Sequence, residues 1–389
     1  MGIADVAARP DMRAKAEKAL AAGPLCDPCL GRLYAEVDTG LSNAERGRLV
    51  REAVGGPPPS APCPLCGGIF ERIDDWAAMA REALAGWEFA TLAVASHADP
   101  RIAQREANIW TEAGGELAEP YKQEFNRLLG TRLCETIGCE TDLSNPDIIV
   151  VADHPAGKVD LDVQPLFVAG RYRKLVRGLP QCRWPEWPTS IQEIVGDPIL
   201  RDAGGKDHLF HGCGREDTDA RCLAERPFVL EVVRPRRRRL DWAAMAQAIN
   251  RSGKVEVLGL GPCQRSQVAR LKELRPEKTY RAVAALGRDV TDAECDALAR
   301  LVGTIAQRTP TRVIKRRPDL VRSRQVVAVD WRRTGPRTLE LTVRAQAGTY
   351  IKELVSGDGG RTTPSVAEIL GTAAQSVELD VVGIHLDAP

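Results

Sequence analysis

Apolar residues recur at helical spacing through the first third of the chain. Amphipathic runs over Met12 to Ala21 and Asn43 to Val54 predict two helices, set between Pro- and Gly-rich turns. From residue 71 to 170 helical and strand patterns alternate. Asp75 to Ala85 and Ile102 to Thr111 read as helices on either side of a strand-like Thr91 to Ser96. Pro120 to Ile137 puts Phe125, Leu128, Leu129 and Leu133 at core spacing. Two strands follow, Pro146 to Val151 and Val159 to Val163, which makes this stretch an α/β module.

Residues 171–200 lose that regularity and read as a linker. Arg171, Tyr172, Arg173 and Lys174 are followed by Gln181-Cys182-Arg183-Trp184-Pro185 and Trp187-Pro188. Arginine interleaved with Tyr and Trp fits phosphate contacts with base stacking, and equally an extended segment pinned by its tryptophans. From 201 onward the pattern is mixed α+β. A strand is expected over 228–233, a helix over 241–250 capped by Asp241, and a helix over 264–274 leading into a strand from Thr279 to Ala285. Thr291 and Glu294 have capping-box spacing, so a helix is expected over 291–305. Strands 325–331 and 338–345 should pair antiparallel about a turn from Arg333 to Pro336.

Charge changes the picture more than composition does. The 389 residues carry a net charge of +1 and are 43% hydrophobic, enough for two or three cores. Residues 201–389 hold 33 Lys+Arg against 24 Asp+Glu, a balance of +9, whereas the first 200 hold 21 against 29, a balance of −8. A basic second half suggests a polyanionic partner. Arg312, Lys315, Arg316, Arg317, Arg322 and Arg324 concentrate that charge, in a pattern suited to phosphate contacts. No apolar stretch is long enough to span a bilayer, and Met1 to Asp5 has no basic-then-apolar signal pattern. A cytoplasmic protein is expected.

Eleven cysteines, an odd number without a secretion signal, argue against a disulfide scaffold. Four of them form two Cys-x-x-Cys knuckles, Cys26/Cys29 and Cys63/Cys66, each beside Pro or Gly. Tight turns of this kind aim backbone N–H groups at thiolate sulfur, and two knuckles close one tetrahedral site. Structural zinc is the expected occupant, and a redox motif would not need two copies. The five histidines have no ligand spacing.

The remaining candidate chemistry lies in Phe210-His211-Gly212-Cys213-Gly214-Arg215-Glu216-Asp217, followed by Thr218-Asp219-Ala220-Arg221. A Gly-punctuated turn here presents a carboxylate just after a basic residue. A nucleophilic carboxylate needs that setting, ionised beside a fixed cation and reachable by a bulky substrate. The plain alternative is a solvated acidic loop.

Further segments decide between these readings. Arg226-Pro227-Phe228, Lys278-Thr279-Tyr280, Gln307-Arg308-Thr309-Pro310, Arg312-Val313 and Gln346 to Glu353 run in order with the Asp217 segment, and Gly357-Asp358 with Gly360-Arg361-Thr362 closes the set. Together with the knuckles, and with Asn145-Pro146-Asp147 leading into a strand like the end of a THUMP domain, the chain resembles the Pus-ten family. These are archaeal and eukaryotic tRNA pseudouridine synthases that join an N-terminal zinc and THUMP module to a catalytic domain.

The resemblance implies a zinc-binding segment over 1–70, a THUMP-like RNA-binding domain over 71–170 and a mainly antiparallel α+β catalytic domain over 201–389. It implies an enzyme that isomerises uridine in the TΨC loop, at tRNA positions 54 and 55, with no catalytic cofactor and the TΨC arm as partner. The family's nucleophile falls on Asp217, and its two substrate-contacting tyrosines fall on Tyr280 and Tyr350. Arg361, after a Gly-x-x-Gly turn, is the favoured cation beside the nucleophile, with Arg215 and Lys352 as alternatives. The stretch Arg221-Cys222-Leu223-Ala224-Glu225-Arg226 departs from the family pattern, being one residue shorter and lacking both glycines, so the turn behind Asp217 must be built differently. Two other classes stay in view. A THUMP-fused methyltransferase or thiolation enzyme needs a Gly-rich loop that Gly259-Leu260-Gly261 only half supplies. A non-catalytic zinc/THUMP tRNA-binding protein would have no need of Asp217, Tyr280 and Tyr350.

Overall fold

The computed structural model describes Ile3 and residues 9–386; most of the N-terminal stretch read above for a signal pattern lies outside the described residues. The chain divides into two compact units at Gln164/Pro165.

The first unit opens with α1 (Pro10–Ala21), α2 (Asp27–Gly31) and α3 (Asn43–Val54). The Ser42 hydroxyl accepts from the Glu45 amide while the Glu45 carboxylate accepts from the Ser42 amide, a complete capping box. Helices α2 and α3 meet backbone to backbone. A Cβ on Gly47 would lie 1.9 Å from the Asp27 carbonyl oxygen, so only glycine fits there. Next come α4 (Ile73–Leu84), β1 (Thr91–His97), α5 (Pro100–Ala113), α6 (Tyr121–Ile137), β2 (Glu140–Thr141), β3 (Ile148–Asp153) and β4 (Lys158–Val163). The sheet order is β2-β1-β3-β4, with β1 parallel to β3 and β4 antiparallel. Phe125, Leu129 and Leu133 of α6 are fully buried in a core that also contains Leu25, Leu30 and Val50 from the cysteine-bearing segment. A buried Arg32–Glu106 ion pair ties that segment to α5.

The second unit is built on β5 (Leu166–Lys174), α7 (Ile191–Ala203), β6 (Asp207–Gly212), β7 (Arg221–Val233), α8 (Trp242–Asn250), β8 (Val255–Cys263), α9 (Ser266–Glu273) and β9 (Glu277–Leu286). It continues with α10 (Asp292–Cys295), β10 (Gly303–Arg308), β11 (Val321–Gly335), β12 (Thr338–Ala345), α11 (Ile351–Ser356), β13 (Thr362–Thr363), α12 (Val366–Leu370) and β14 (Ala374–His385). Ten strands form one mixed, mainly antiparallel sheet in the order β13-β10-β11-β12-β9-β14-β7-β5-β8, with β6 also on β7. Among the described residues its one parallel pairing is β14 on β7.

The stretch expected as a linker is instead part of this unit. Residues up to Lys174 belong to β5, and α7 begins at Ile191 under a Ser190 cap. Alternation along β5 sends Tyr172 and Lys174 inward and Arg171 and Arg173 outward to Glu225 and Glu256, so its polar residues serve both faces. The capping box at Thr291 is present, but the helix it opens ends at Cys295. A 3₁₀ stretch, Asp296–Leu301, then leads to Gly303 and β10.

Candidate active site

The loop between β6 and β7 carries Asp217, and buried groups hold it from behind. Arg226 donates to the Cys213 carbonyl at 2.8 Å and pairs with Glu216 at 3.1 Å, both side chains being 1% exposed. Burial works against the Arg226 charge, yet Glu216 beside it keeps the guanidinium above its ordinary pKa. Gln181 donates to the Tyr172 hydroxyl and to the Gly214 carbonyl, and the Tyr172 hydroxyl lies 3.3 Å from Glu216. Lys174, fully buried, donates to the carbonyls of Asp217 (3.2 Å) and Thr218 (2.8 Å). The loop backbone is therefore fixed by hydrogen bonds from buried donors, which is how a side chain at a loop tip is held in one place.

The missing glycines are replaced by a bulge. Tyr172 pairs with Arg226 and Lys174 with Cys222, so β7 runs two residues longer than β5 across Leu223, Ala224 and Glu225. Glu225 then turns out to meet Arg171 and Arg173.

At the tip, the Asp217 carboxylate is one-third exposed and faces two cations. Arg312 lies 3.1 Å away and Lys352 3.5 Å away. Arg312 comes from the turn after Pro310 and is itself held by Glu353 at 2.7 Å, a nearly buried carboxylate in the first turn of α11. Burial alone would lower the Arg312 pKa, but Glu353 and Asp217 raise it. Lys352 also binds Asp219 at 2.6 Å; burial raises the Asp219 pKa, and the Lys352 contact more than offsets it, leaving the carboxylate below its ordinary value. Asp219 is thus an ion-pair partner, and Asp217 sits between two cations.

Arg361, favoured from the sequence as the cation beside Asp217, lies elsewhere. Its guanidinium donates to the Thr309 carbonyl at 2.7 Å and pairs with Asp319, bracing the exposed turn that bears Arg312. Its neighbours Gly357 to Gly360 form a tight turn that aims it there. Arg215 is exposed, with no ion-pair partner among the described residues. Of the three sequence candidates, only Lys352 reaches Asp217.

Tyr280 lies on β9, two strands from the start of β7. Register places Tyr280 opposite Val381 of β14, and Val381 opposite Cys222. The ring is partly buried against the sheet core. Burial, with smaller contributions from Cys222 and Asp217, pushes its phenol up to about 12, so the hydroxyl stays protonated at neutral pH. Tyr350 precedes α11, and its hydroxyl accepts from Arg317 at 3.0 Å. In the adjacent row of the sheet, Asp380 of β14, opposite Arg221 and Arg281, is buried and shared by Arg177, Arg221 and Arg281.

Apart from Arg312, which faces Asp217, the basic cluster divides in two. Arg322 and Arg324 turn back onto the protein, at the Thr309 hydroxyl and the Gly348 carbonyl. Lys315, Arg316 and Arg317 remain exposed, with Arg316 lying 5.1 Å from the centre of the Trp184 ring. Lys174, Gln181, Glu353 and Asp380 went unread as site residues in the sequence. For Lys174 a signal existed, since it shares the inward period of β5 with Tyr172.

In the first unit the Sγ atoms of Cys26, Cys29, Cys63 and Cys66 lie within 4.8 Å of one another, all buried, and could hold a metal ion. The Cys26–Cys66 separation is 3.7 Å, against about 3.8 Å for a tetrahedral zinc site with bonds of about 2.3 Å. The Cys26 amide donates to Cys63 Sγ and the Arg32 guanidinium to Cys29 Sγ, as thiolate ligands require. No helix among the described residues is long and apolar enough to cross a membrane.

A family model described as Pus10, C-terminal, matches residues 167–385, and one described as Pus10 THUMP domain, archaeal, matches residues 76–153. The tRNA pseudouridine synthase Pus10 of Methanothrix thermoacetophila is 39% identical, the alignment covering 96% of this chain and 94% of that protein. That of Pyrococcus furiosus is also 39% identical, over 95% of this chain and 97% of the relative. Among solved structures, a chain of a Cbf5-Nop10-Gar1 complex superposes with a TM-score of 0.33 at 20% identity, covering 55% of this chain and 48% of that one, too loose a match to carry a conclusion. The chain belongs to the Pus10 family.

Proposed function

We propose that the protein is a tRNA pseudouridine synthase in which Asp217 is the nucleophile, acting in the cytoplasm on the TΨC loop at positions 54 and 55. The observation that carries this reading is the Asp217 carboxylate, exposed at the tip of a loop fixed by buried donors and faced by Arg312 and Lys352. The names of its close relatives support the substrate class. With cations on two sides and one face open, the carboxylate is placed to attack C1′ or to take a ribose proton. Either route breaks the N1–C1′ bond. The uracil turns and rejoins C1′ through C5, C5 loses its proton and N1 gains one, so no redox partner is needed. Tyr280 offers a ring face for the flipped base and Tyr350 a second contact. Arg361 supports the turn that holds Arg312. The exposed Lys315, Arg316 and Arg317 would take tRNA phosphates, and the zinc-bearing and THUMP-like segments would dock the rest of the tRNA.

The methyltransferase alternative loses its motif, because Gly259 to Gly261 lie within strand β8, not in a loop after one. The test is to incubate the protein with an unmodified tRNA transcript and map pseudouridine at single-nucleotide resolution. Wild type should modify the TΨC loop. Asp217→Asn should abolish modification while tRNA binding stays within a few-fold, and Asp219→Asn should only slow it. An active Asp217→Asn variant beside a dead Asp219→Asn variant would move the nucleophile to Asp219.

A further inference from the structure

The tryptophans of this chain divide by what they pack on. Trp76, Trp87 and Trp110 pack in the core of the first unit, and Trp242 and Trp331 against cores of the second. Trp184 and Trp187 belong to none of the cores formed by the described residues, and Trp187 is 37% exposed where Trp76 is 3%. They stand at the two ends of one tight turn, Trp184-Pro185-Glu186-Trp187, closed by the Trp187 amide donating to the Trp184 carbonyl at 2.9 Å. Proline at its second position presets the backbone for that turn.

The turn does not need its indoles to hold it. Before it, the Gly178 and Leu179 amides donate to the Thr218 carbonyl at 2.9 and 3.3 Å, and the Gln181 side chain donates to the Gly214 carbonyl at 3.0 Å. Across its base, the Ile191 and Gln192 amides donate to the Pro180 and Gln181 carbonyls, each at 2.9 Å, and Arg183 pairs with Asp207 at 2.9 Å. Gly214 and Thr218 flank Asp217, so these bonds set the turn at the rim of the nucleophile loop. The Trp187 ring reaches back to that anchor, since a Cβ on Gly178 would lie 3.6 Å from Trp187 Cζ3. Arg316 lies over the Trp184 ring, 5.1 Å from its centre, on the same exposed turn that sets Arg312 on Asp217 and Arg317 on the Tyr350 hydroxyl. Half-exposed indoles beside a fixed guanidinium suit a ligand that is flat and anionic at once, which is a nucleotide outside a duplex.

We propose, resting on the reading above, that the turn Trp184–Trp187 seats a second unpaired nucleotide of the substrate RNA, close to the flipped uridine. Its base stacks on Trp187, and its phosphate pairs with Arg316, which Trp184 holds in place. Stacking on an indole tolerates any base, so the seat senses that a nucleotide is unpaired and not which one it is. It favours a uridine that lies in a loop over one that lies in a stem.

The experiment measures equilibrium binding of the full chain to an unmodified tRNA, intact or assembled with one abasic nucleotide at each loop position in turn. Wild type should lose about tenfold in affinity at one abasic position, the worth of one stacked base. Trp187→Ala should lose about tenfold on the intact RNA and nothing further at that position, because the two changes remove the same contact. Trp187→Phe keeps a ring face and should recover most of the loss. Trp187→Ala should melt with wild type, which a tryptophan that only pinned the segment would not allow. It should also keep the wild-type slope of log K against log salt, whereas Arg316→Ala should lower that slope by about 0.7, the value for one single-stranded phosphate. The proposal is overturned if Trp187→Ala binds intact RNA as wild type does, which would leave the turn to a protein partner. It is overturned also if the Trp187→Ala loss adds in full to the loss at every abasic position, as a loosened segment would make it do. These readouts are of binding alone, so a wild type that binds tRNA but forms no pseudouridine would instead overturn the functional reading itself.

Discussion

Gln307 holds the main chain of Tyr350 with a single side chain. Its Oε1 accepts from the Tyr350 amide and its Nε2 donates to the Tyr350 carbonyl, each at 2.9 Å, and Gln307 is 2% exposed. The amide thus acts as a strand of one residue, and it aims the start of α11, where Lys352 and Glu353 reach toward Asp217 and Arg312. Gln307→Ala should leave two polar groups unmet, at about 1–3 kcal/mol each, and should lower kcat with little change in tRNA affinity. Gln307→Glu can accept but not donate, so it should recover only part of the loss. Equal rates for wild type and Gln307→Ala under single turnover would show that Tyr350 does not need this support.

Chelation, or Cys26→Ser, should unfold the first unit, because a structural zinc supplies folding free energy on the order of 10 kcal/mol. Activity should fall through lost tRNA docking, seen as a rise in KM before a fall in kcat. The check is metal analysis of the purified protein with thiol titration. Intact thiols without zinc would remove the idea.

Arg316→Ala with Arg317→Ala should weaken binding of any tRNA and reduce the slope of log K against log salt by about 0.9 per lost duplex phosphate contact. Loss of Arg317 also frees the Tyr350 hydroxyl, so a modest fall in kcat should accompany it. Tyr280→Leu should leave the salt slope alone but lose stacking of roughly 1–3 kcal/mol per base, and so turn over bound tRNA more slowly than Tyr280→Phe. Equal rates for the Leu and Phe variants would make Tyr280 a core residue.

Asp380 gives a pH dependence of stability. Burial alone would raise its pKa, but Arg221 and Arg281 donate to it and Arg177 lies beside it, and the net result is a carboxylate well below the usual range. Its contribution is fully present above the unfolded value, about 4, and is lost as pH falls through the lower folded value. Asp380→Asn leaves three arginines facing a neutral group and should cost about 3–5 kcal/mol at pH 7. Urea unfolding of both proteins should show a gap that is constant from about pH 5 to about pH 8 and narrows under acid. A gap that persists unchanged well below pH 4 would mean that the charge of Asp380 is not the source.

Elements with strong local signals were legible in the chain. The stripe over Pro120 to Ile137 became α6 and the amphipathic run over Asn43 to Val54 became α3, because the helical period is unbroken in both. Strand β14 was not legible. Bulges between Ser376 and Glu378 and between Val381 and Gly383 reset its alternation, so no period of two survives. Arg and Lys on β5 disguised a central strand as a linker. The same limit applies to the site. Tyr280 and Tyr350 entered only through the family resemblance, while Asp217 could be read locally, from residue type and turn context. The partner of Asp217 could not, because Arg312 is 95 residues away and only the pairing of β10 with β11 and the clamp of Glu353 bring it there.

The place of β14 in the sheet has a consequence for biosynthesis. This strand lies between β7, which follows Asp217, and β9, which bears Tyr280, yet it is translated after both. A nascent chain that has already released those two strands from the ribosome has nothing to hold them at their working separation. Insertion of a central strand this late is a long-range closure of the slow kind. The growing polypeptide therefore carries Asp217 and Tyr280 apart until that closure. Residues 374–385 join last, and Asp380 on them pairs with Arg221 of β7 and Arg281 of β9, so the two strands reach their final separation only when this one is in place.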